Sequence, residues 1–120
     1  MLVDDHPEVL RGLSRLLERG CEIVASVDNG EQALEAAVRL MPDVMVVDLT
    51  MPDMDGLEVC RRMQKSAPET EVIILTAFDD RHVELAALRA GASAFVAKHA
   101  APATLEGEIQ RLAEKKRTRA

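Results

Sequence analysis

Asp48 ends an unbroken apolar run, Val44-Met45-Val46-Val47, and a turn cluster rich in Pro, Asp and Gly follows it at once. Such a run, preceded by Pro42-Asp43, reads as a central strand buried on both faces. Its last residue is therefore a carboxylate at the carboxyl end of a buried strand, the place where open α/β sheets carry their chemistry. Asp4 and Asp5 close a shorter strand, Thr76 closes another, and Lys98 follows the last one. In a parallel sheet these ends point the same way, so three carboxylates, one hydroxyl and one ammonium are expected in a single crevice. Two carboxylates about 4 Å apart repel by roughly 4 kcal/mol at an effective dielectric of about 20. Lys98 brings one positive charge against three negative ones. A hard, oxygen-seeking cation would offset the difference, and Mg²⁺ commonly takes one or two carboxylates together with phosphate oxygens. An aspartate placed in this way can attack a phosphoryl group and carry it as an aspartyl phosphate. Lysine and metal would neutralise the charge on the transferred oxygens, and Thr76 and Lys98 could then hold the product by charge-assisted hydrogen bonds.

Those side chains need strands and helices in alternation to bring them together, and the chain has the pattern for both. A strand stub at Leu2-Val3 is followed by strands expected at 22–26, 44–48, 72–76 and 94–97. Pro7 suits a first helical turn, after which Val9, Leu10, Leu13, Leu16 and Leu17 fall on one face up to a stop near Gly20. Asp28-Asn29-Gly30 supplies a cap for a second helix, in which Ala33, Leu34, Ala37 and Leu40 recur at helical spacing. Further helices are expected at 56–66, at 81–90 with Gly91 as the stop, and from 102 to about 115. Single helices between strands imply right-handed crossovers, hence a doubly wound five-stranded parallel sheet flanked by helices on both faces. Residues 1–114 read as one domain and the basic stretch 115–120 as a linker or tail.

With 48 % hydrophobic and 30 % charged residues in a length of 120, the chain has the make-up of one ordinary globular domain. A formal charge of −6 argues against broad binding to nucleic acid or anionic membranes. No apolar stretch approaches the roughly 20 residues needed to cross a bilayer, and Met1 leads into strand-like residues instead of a signal peptide. A cytoplasmic setting is expected. Cys21 and Cys60 stand outside any C-x-x-C pair and read as reduced packing residues.

The order and spacing of these motifs resemble the receiver domain of bacterial two-component response regulators, the CheY-like, flavodoxin-like fold, over essentially the whole chain. The resemblance rests on Asp4-Asp5, on Asp48 within Asp-Leu-Thr-Met-Pro-Asp-Met-Asp-Gly, on Leu75-Thr76-Ala77, and on Lys98 after Gly91-Ala92-Ser93-Ala94-Phe95-Val96-Ala97. It implies that Asp48 accepts a phosphoryl group from a sensor histidine kinase, with Lys98 and Thr76 assisting. It further implies Mg²⁺ held directly by Asp5 and Asp48, with the Thr50 backbone carbonyl completing the protein ligands and Asp4 acting through water. Thr76 and Phe95 would form a coupled switch. Self-phosphorylation and autodephosphorylation would depend on Mg²⁺, in a signalling domain and not an enzyme with an external product. Val-Asp-Asp-His-Pro and Ala-Leu-Arg-Ala-Gly-Ala look like the NarL/FixJ-type subgroup, whose receivers usually precede a LuxR-type helix-turn-helix. Transcription would then be controlled by a DNA-binding domain absent from this chain, with a phosphorylation-favoured homodimer as a further expected partner. The first strand is shorter than the family's, and His99 stands where many receivers carry a proline after a cis peptide bond.

Plainer readings exist for each residue. Asp4-Asp5 before His6-Pro7 could cap a helix, Thr76 could be an ordinary β-branched strand residue, and Phe95 could be a core aromatic. His6, His82 and His99 lack metal-ligand spacing and are assigned to structure or solvent. A phosphatase of the haloacid dehalogenase type would need an acid two residues past its nucleophile, where Thr50 stands. A receiver-like interaction module working without phosphate is the alternative function; the complete set of acids, hydroxyl and lysine opposes it. Thr50 and Phe78, flanking the expected line of attack, cannot orient water as an acid or amide would, so the aspartyl phosphate is expected to live longer than in receivers carrying an acid or amide there.

Overall fold

A computed structural model describes residues 1–77, 80–100 and 102–119, with side chains up to 116. Elements alternate from β1 (Leu2–Val3) through α1 (Pro7–Leu17), β2 (Ser26–Val27), α2 (Gly30–Leu40), β3 (Val44–Asp48), α3 (Gly56–Ser66), β4 (Glu71–Thr76), α4 (Arg81–Arg89) and β5 (Ala94–Ala97) to α5 (Pro102–Arg119). All strand pairs are parallel, in the order β2-β1-β3-β4-β5. The sheet is wound outward from β1 in both directions, and its switch point lies between β1 and β3, where an open α/β sheet leaves a crevice at the carboxyl ends of its strands.

Side-chain alternation explains why the β3 run is apolar throughout. Val44 and Val46 face α1 and α5 with Leu17, Leu105, Ile109 and Leu112. Met45 and Val47 face α2, α3 and α4, among Ala33, Ala37, Val59, Met63 and Ala87. Each face is dry, so neither tolerates a polar residue until the strand ends at Asp48.

Helix ends follow their local chemistry. Asn29 accepts from the Gln32 N–H and Asp55 from the Glu58 N–H, and each thereby caps its helix. Gly91, at φ 105°, closes α4: its N–H reaches Leu88 O and the Ala92 N–H reaches Ala87 O, the pairing of a Schellman motif.

Two boundaries differ from expectation. β2 spans only Ser26–Val27, not 22–26, because an edge strand can pair no further than its single neighbour, and β1 is two residues long. α5 continues to Arg119, past the expected end near 115. Lys115 and Lys116 explain part of that extension: Lys115 Nζ lies 3.9 Å from Glu71 Oε1, and Lys116 Nζ donates to the Glu69 carbonyl. No cis peptide bond occurs among the described residues, so Lys98 and His99 are joined in trans. Both cysteines are free: Cys60 is buried and Cys21 half-buried.

Candidate functional site

Three strands deliver the site by their ends. Asp48 is the last residue of β3 and lies opposite Leu75 of β4, while the adjoining Leu49 N–H binds Leu75 O at 2.9 Å. Asp4 follows β1 and is tied to the edge by its N–H to Val27 O at 3.1 Å. Lys98 follows β5, its N–H bonded to Thr76 O at 2.6 Å, which fixes the lysine beside the end of β4. Asp4 is 1 % exposed, Asp48 4 % and Thr76 fully buried.

Lys98 Nζ bridges two acids, donating to Asp4 Oδ2 at 3.3 Å and standing 3.1 Å from Asp48 Oδ1. Partial burial alone would lower the lysine pKa, but its contacts with Asp48 and Asp4 outweigh that and hold it above the ordinary value. The Asp48 pKa is raised as well: burial pushes it up, and repulsion from Asp4 and Asp5 adds to this against the Lys98 hydrogen bond and charge.

Asp5 has no share in that bridge. Its Oδ1 is buried without a hydrogen-bond partner, although His6 Nδ1 stands 3.2 Å away. One ligand atom from each of Asp4, Asp5, His6 and Asp48 lies within 4.8 Å of all the others. A buried carboxylate oxygen that makes no hydrogen bond, among further carboxylates, fits a hard divalent cation with oxygen ligands. Thr50, two residues past Asp48 in the β3–α3 loop, is exposed and lines a groove of about 420 Å³ with Leu49, Met51 and His82.

Of the expected site residues, Asp4, Asp5, Asp48 and Lys98 come together, and Thr76 adjoins them through its carbonyl bond to the Lys98 N–H. Phe95 is half-buried against the core on the α2–α4 side, paired with Ile74 and on the same face as Thr76 one pleat away. Phe78 lies outside the described residues. His6, expected in a structural or solvent role, is 63 % exposed beside the acids: its backbone N–H binds Asp4 Oδ1 at 2.9 Å and its Nδ1 lies 3.0 Å from the same oxygen. That hydrogen bond, and then the charge of Asp5, raise the His6 pKa. Its position directly after two aspartates was the available signal. Asp53 binds the first turn of α2 from 22 and 23 residues away, a separation that leaves no trace in local spacing.

Residues 1–110 match the family model described as "Response regulator receiver domain". The "Nitrate/nitrite response regulator protein homolog" of Haemophilus influenzae is 32 % identical over 116 residues, covering 95 % of this chain and 56 % of that protein. The "Nitrate/nitrite response regulator protein NarP" of Escherichia coli is 37 % identical over 107 residues, covering 88 % and 50 %. The chain therefore spans about half the length of these curated relatives. A crystal structure of a two-component response regulator of the LuxR family from Aurantimonas superposes with a TM-score of 0.90 at 36 % identity, covering 95 % of this chain and 84 % of that one.

Proposed function

We propose that this chain, which belongs to the response regulator receiver domain family, takes a phosphoryl group onto Asp48 from the phosphohistidine of a sensor histidine kinase and changes its surface in response. The observation that carries this reading is the uneven compensation of the acids. Lys98 Nζ serves Asp4 and Asp48, while Asp5 Oδ1 is buried with no hydrogen bond. Asp5 and Asp48 would hold Mg²⁺, with the Thr50 carbonyl completing the protein ligands and Asp4 acting through water. When bound, that ion supplies the missing positive charge and polarises the phosphoryl oxygens.

Transfer is a displacement at phosphorus. One Asp48 oxygen forms the new P–O bond while the P–N bond to the kinase imidazole breaks; the departing nitrogen keeps the electron pair and the kinase histidine is restored. Lys98 would pair with one phosphoryl oxygen and the Thr76 hydroxyl would donate to another. Self-phosphorylation from a small phosphoryl donor, and later hydrolysis by water, would use the same groups.

Output would follow from Thr76 closing on the phosphoryl group and Phe95, on the same face, refilling the space it leaves. The surface of α4, β5 and α5 would then have two discrete arrangements. Leu85 and Leu88 of α4 are exposed at 38 % and 49 % and make this face the candidate for a phosphorylation-favoured homodimer, with α1 and α5 as the rival surface. Control of transcription would pass through a helix-turn-helix domain beyond this chain, in keeping with the greater length of its relatives. Among the described residues no helix is long and apolar enough to cross a membrane.

Intact-mass analysis after incubation with Mg²⁺ and acetyl phosphate tests the assignment. One phosphoryl adduct is expected on the wild type and none on Asp48→Asn. An equal adduct on the variant would overturn Asp48 as the acceptor.

A further inference from the structure

We infer that Asp53 is a positioning residue for the metal site, its carboxylate clamping the β3–α3 loop that carries the Thr50 carbonyl onto the first turn of α2. The inference rests on the reading above, in which Asp48 and that carbonyl hold Mg²⁺. Asp53 Oδ1 accepts from the Gly30 N–H and Oδ2 from the Glu31 N–H, both at 3.0 Å. These are two of the N–H groups that the start of an α-helix leaves without an intrahelical partner. Asn29 satisfies the next, the Gln32 N–H, at 2.9 Å. The helix therefore carries two caps, one local and one delivered by the loop beside the phosphoacceptor. The Gly30 N–H is the largest influence lowering the Asp53 pKa, so the carboxylate is in its charged, doubly accepting form at neutral pH.

A steric contact closes the same joint. Gly30 is buried, and a Cβ there would collide with Met54 Cγ and come within 3.0 Å of Val59 Cγ2, so the glycine is what lets Met54 lie against α2. The Leu49 and Gly56 N–H groups bind Leu75 O and Leu49 O, Asp55 ties the end of the loop to α3 through the Glu58 and Val59 N–H groups, and Asp53 ties its middle to α2. Met51 buries its side chain beneath the loop. That contact is non-directional, whereas two hydrogen bonds to a fixed helix end set the loop's angle, and with it the direction of the Thr50 carbonyl.

A simple helix cap would account for the same two hydrogen bonds, so the test separates capping from positioning. The probe is Mg²⁺ alone, titrated calorimetrically into the metal-free domain. Asp53→Ala should weaken Mg²⁺ binding by about three- to tenfold, at or below the low end of losses seen when outer-shell partners of metal ligands are removed. Asn29→Ala, which removes the other cap from the same helix, should lower the melting temperature comparably and leave Mg²⁺ affinity within about twofold. In metal-free protein, the Thr50 and Met51 amide resonances should move in Asp53→Ala and stay in place in Asn29→Ala. Equal losses of Mg²⁺ affinity in the two variants, or none in Asp53→Ala, would overturn the clamp. Asp48→Asn tests the metal reading separately: undiminished Mg²⁺ binding there would refute that reading, and the Thr50 amide would still decide the clamp.

Discussion

Replacing Asp48 by asparagine should make the metal-free domain more stable, although it removes the residue at the centre of the site. Asp48 is 4 % exposed, and ligand atoms of Asp4 and Asp5 lie within 4.8 Å of its own. At that distance and an effective dielectric of about 20, each like-charged pair costs about 3.5 kcal/mol. Lys98 Nζ, 3.1 Å away, returns about 5.4 kcal/mol on the same scale. The carboxylate is left opposed by about 1.5 kcal/mol before its desolvation is counted. Asparagine keeps the volume and an acceptor for Lys98 while losing the charge, so a gain of about 1–2 kcal/mol is expected at pH 7, or about 3–8 °C in Tm for a domain of this size.

The sign with pH follows from the raised pKa. A carboxyl group whose folded pKa lies above its unfolded value, here 3.8, contributes stability that is present below that value and is lost as pH rises through the folded pKa. The advantage of Asp48→Asn should therefore vanish in acid and be complete at neutral pH. Saturating Mg²⁺ should reverse the order, since an ion at 100 times its Kd stabilises the wild type by about 2.7 kcal/mol. Urea unfolding followed by far-UV circular dichroism is the assay, because the chain has neither Trp nor Tyr. If Asp48→Asn is less stable than the wild type without metal at pH 7, or its advantage persists undiminished in acid, the electrostatic account is wrong.

Three further outcomes are expected. Gly56→Ala would set a Cβ 2.7 Å from the Asp48 carbonyl oxygen and 3.0 Å from Leu49 Cα, both backbone atoms that cannot yield; it should cost about 1–3 kcal/mol and slow acetyl phosphate labelling, whereas Gly12→Ala, with nothing within 4 Å, should stabilise by about 0.5–1 kcal/mol in the same melts. Burial pushes the Cys60 thiol up to about 11, so iodoacetamide at pH 8 should label only Cys21 in the folded protein and both cysteines in urea, as counted by intact mass; rapid native labelling of Cys60 would contradict its burial. Sedimentation with Mg²⁺ and trifluoroberyllate should show a shift toward dimer that Leu88→Glu abolishes and Thr76→Ala weakens, and a full shift in Thr76→Ala would reject the coupling of that hydroxyl to the surface.

Local order along the chain determined the alternation of strands and helices, the burial of β3 on both faces and the set of acids, hydroxyl and lysine at strand ends. These properties depend on periodicities of two or about 3.6 residues and on caps within a few positions, all carried by neighbours in sequence. Val44 to Val47 read as a strand covered on both sides with Asp48 at its end, and that is what the fold contains. Distances between elements decided the rest. The length of β2 was set by its partner β1, not by its own residues. Lys98 came to share its ammonium between Asp4 and Asp48 because β1 and β3 are adjacent, and it is 94 residues from Asp4 in the chain. The burial of an Asp5 oxygen without a hydrogen bond and the Asp53 bonds to α2 likewise arise only when separate elements meet. Such contacts have no period and no fixed spacing, so it took the packed sheet and its helices to turn a set of reactive residues into a site with a defined charge.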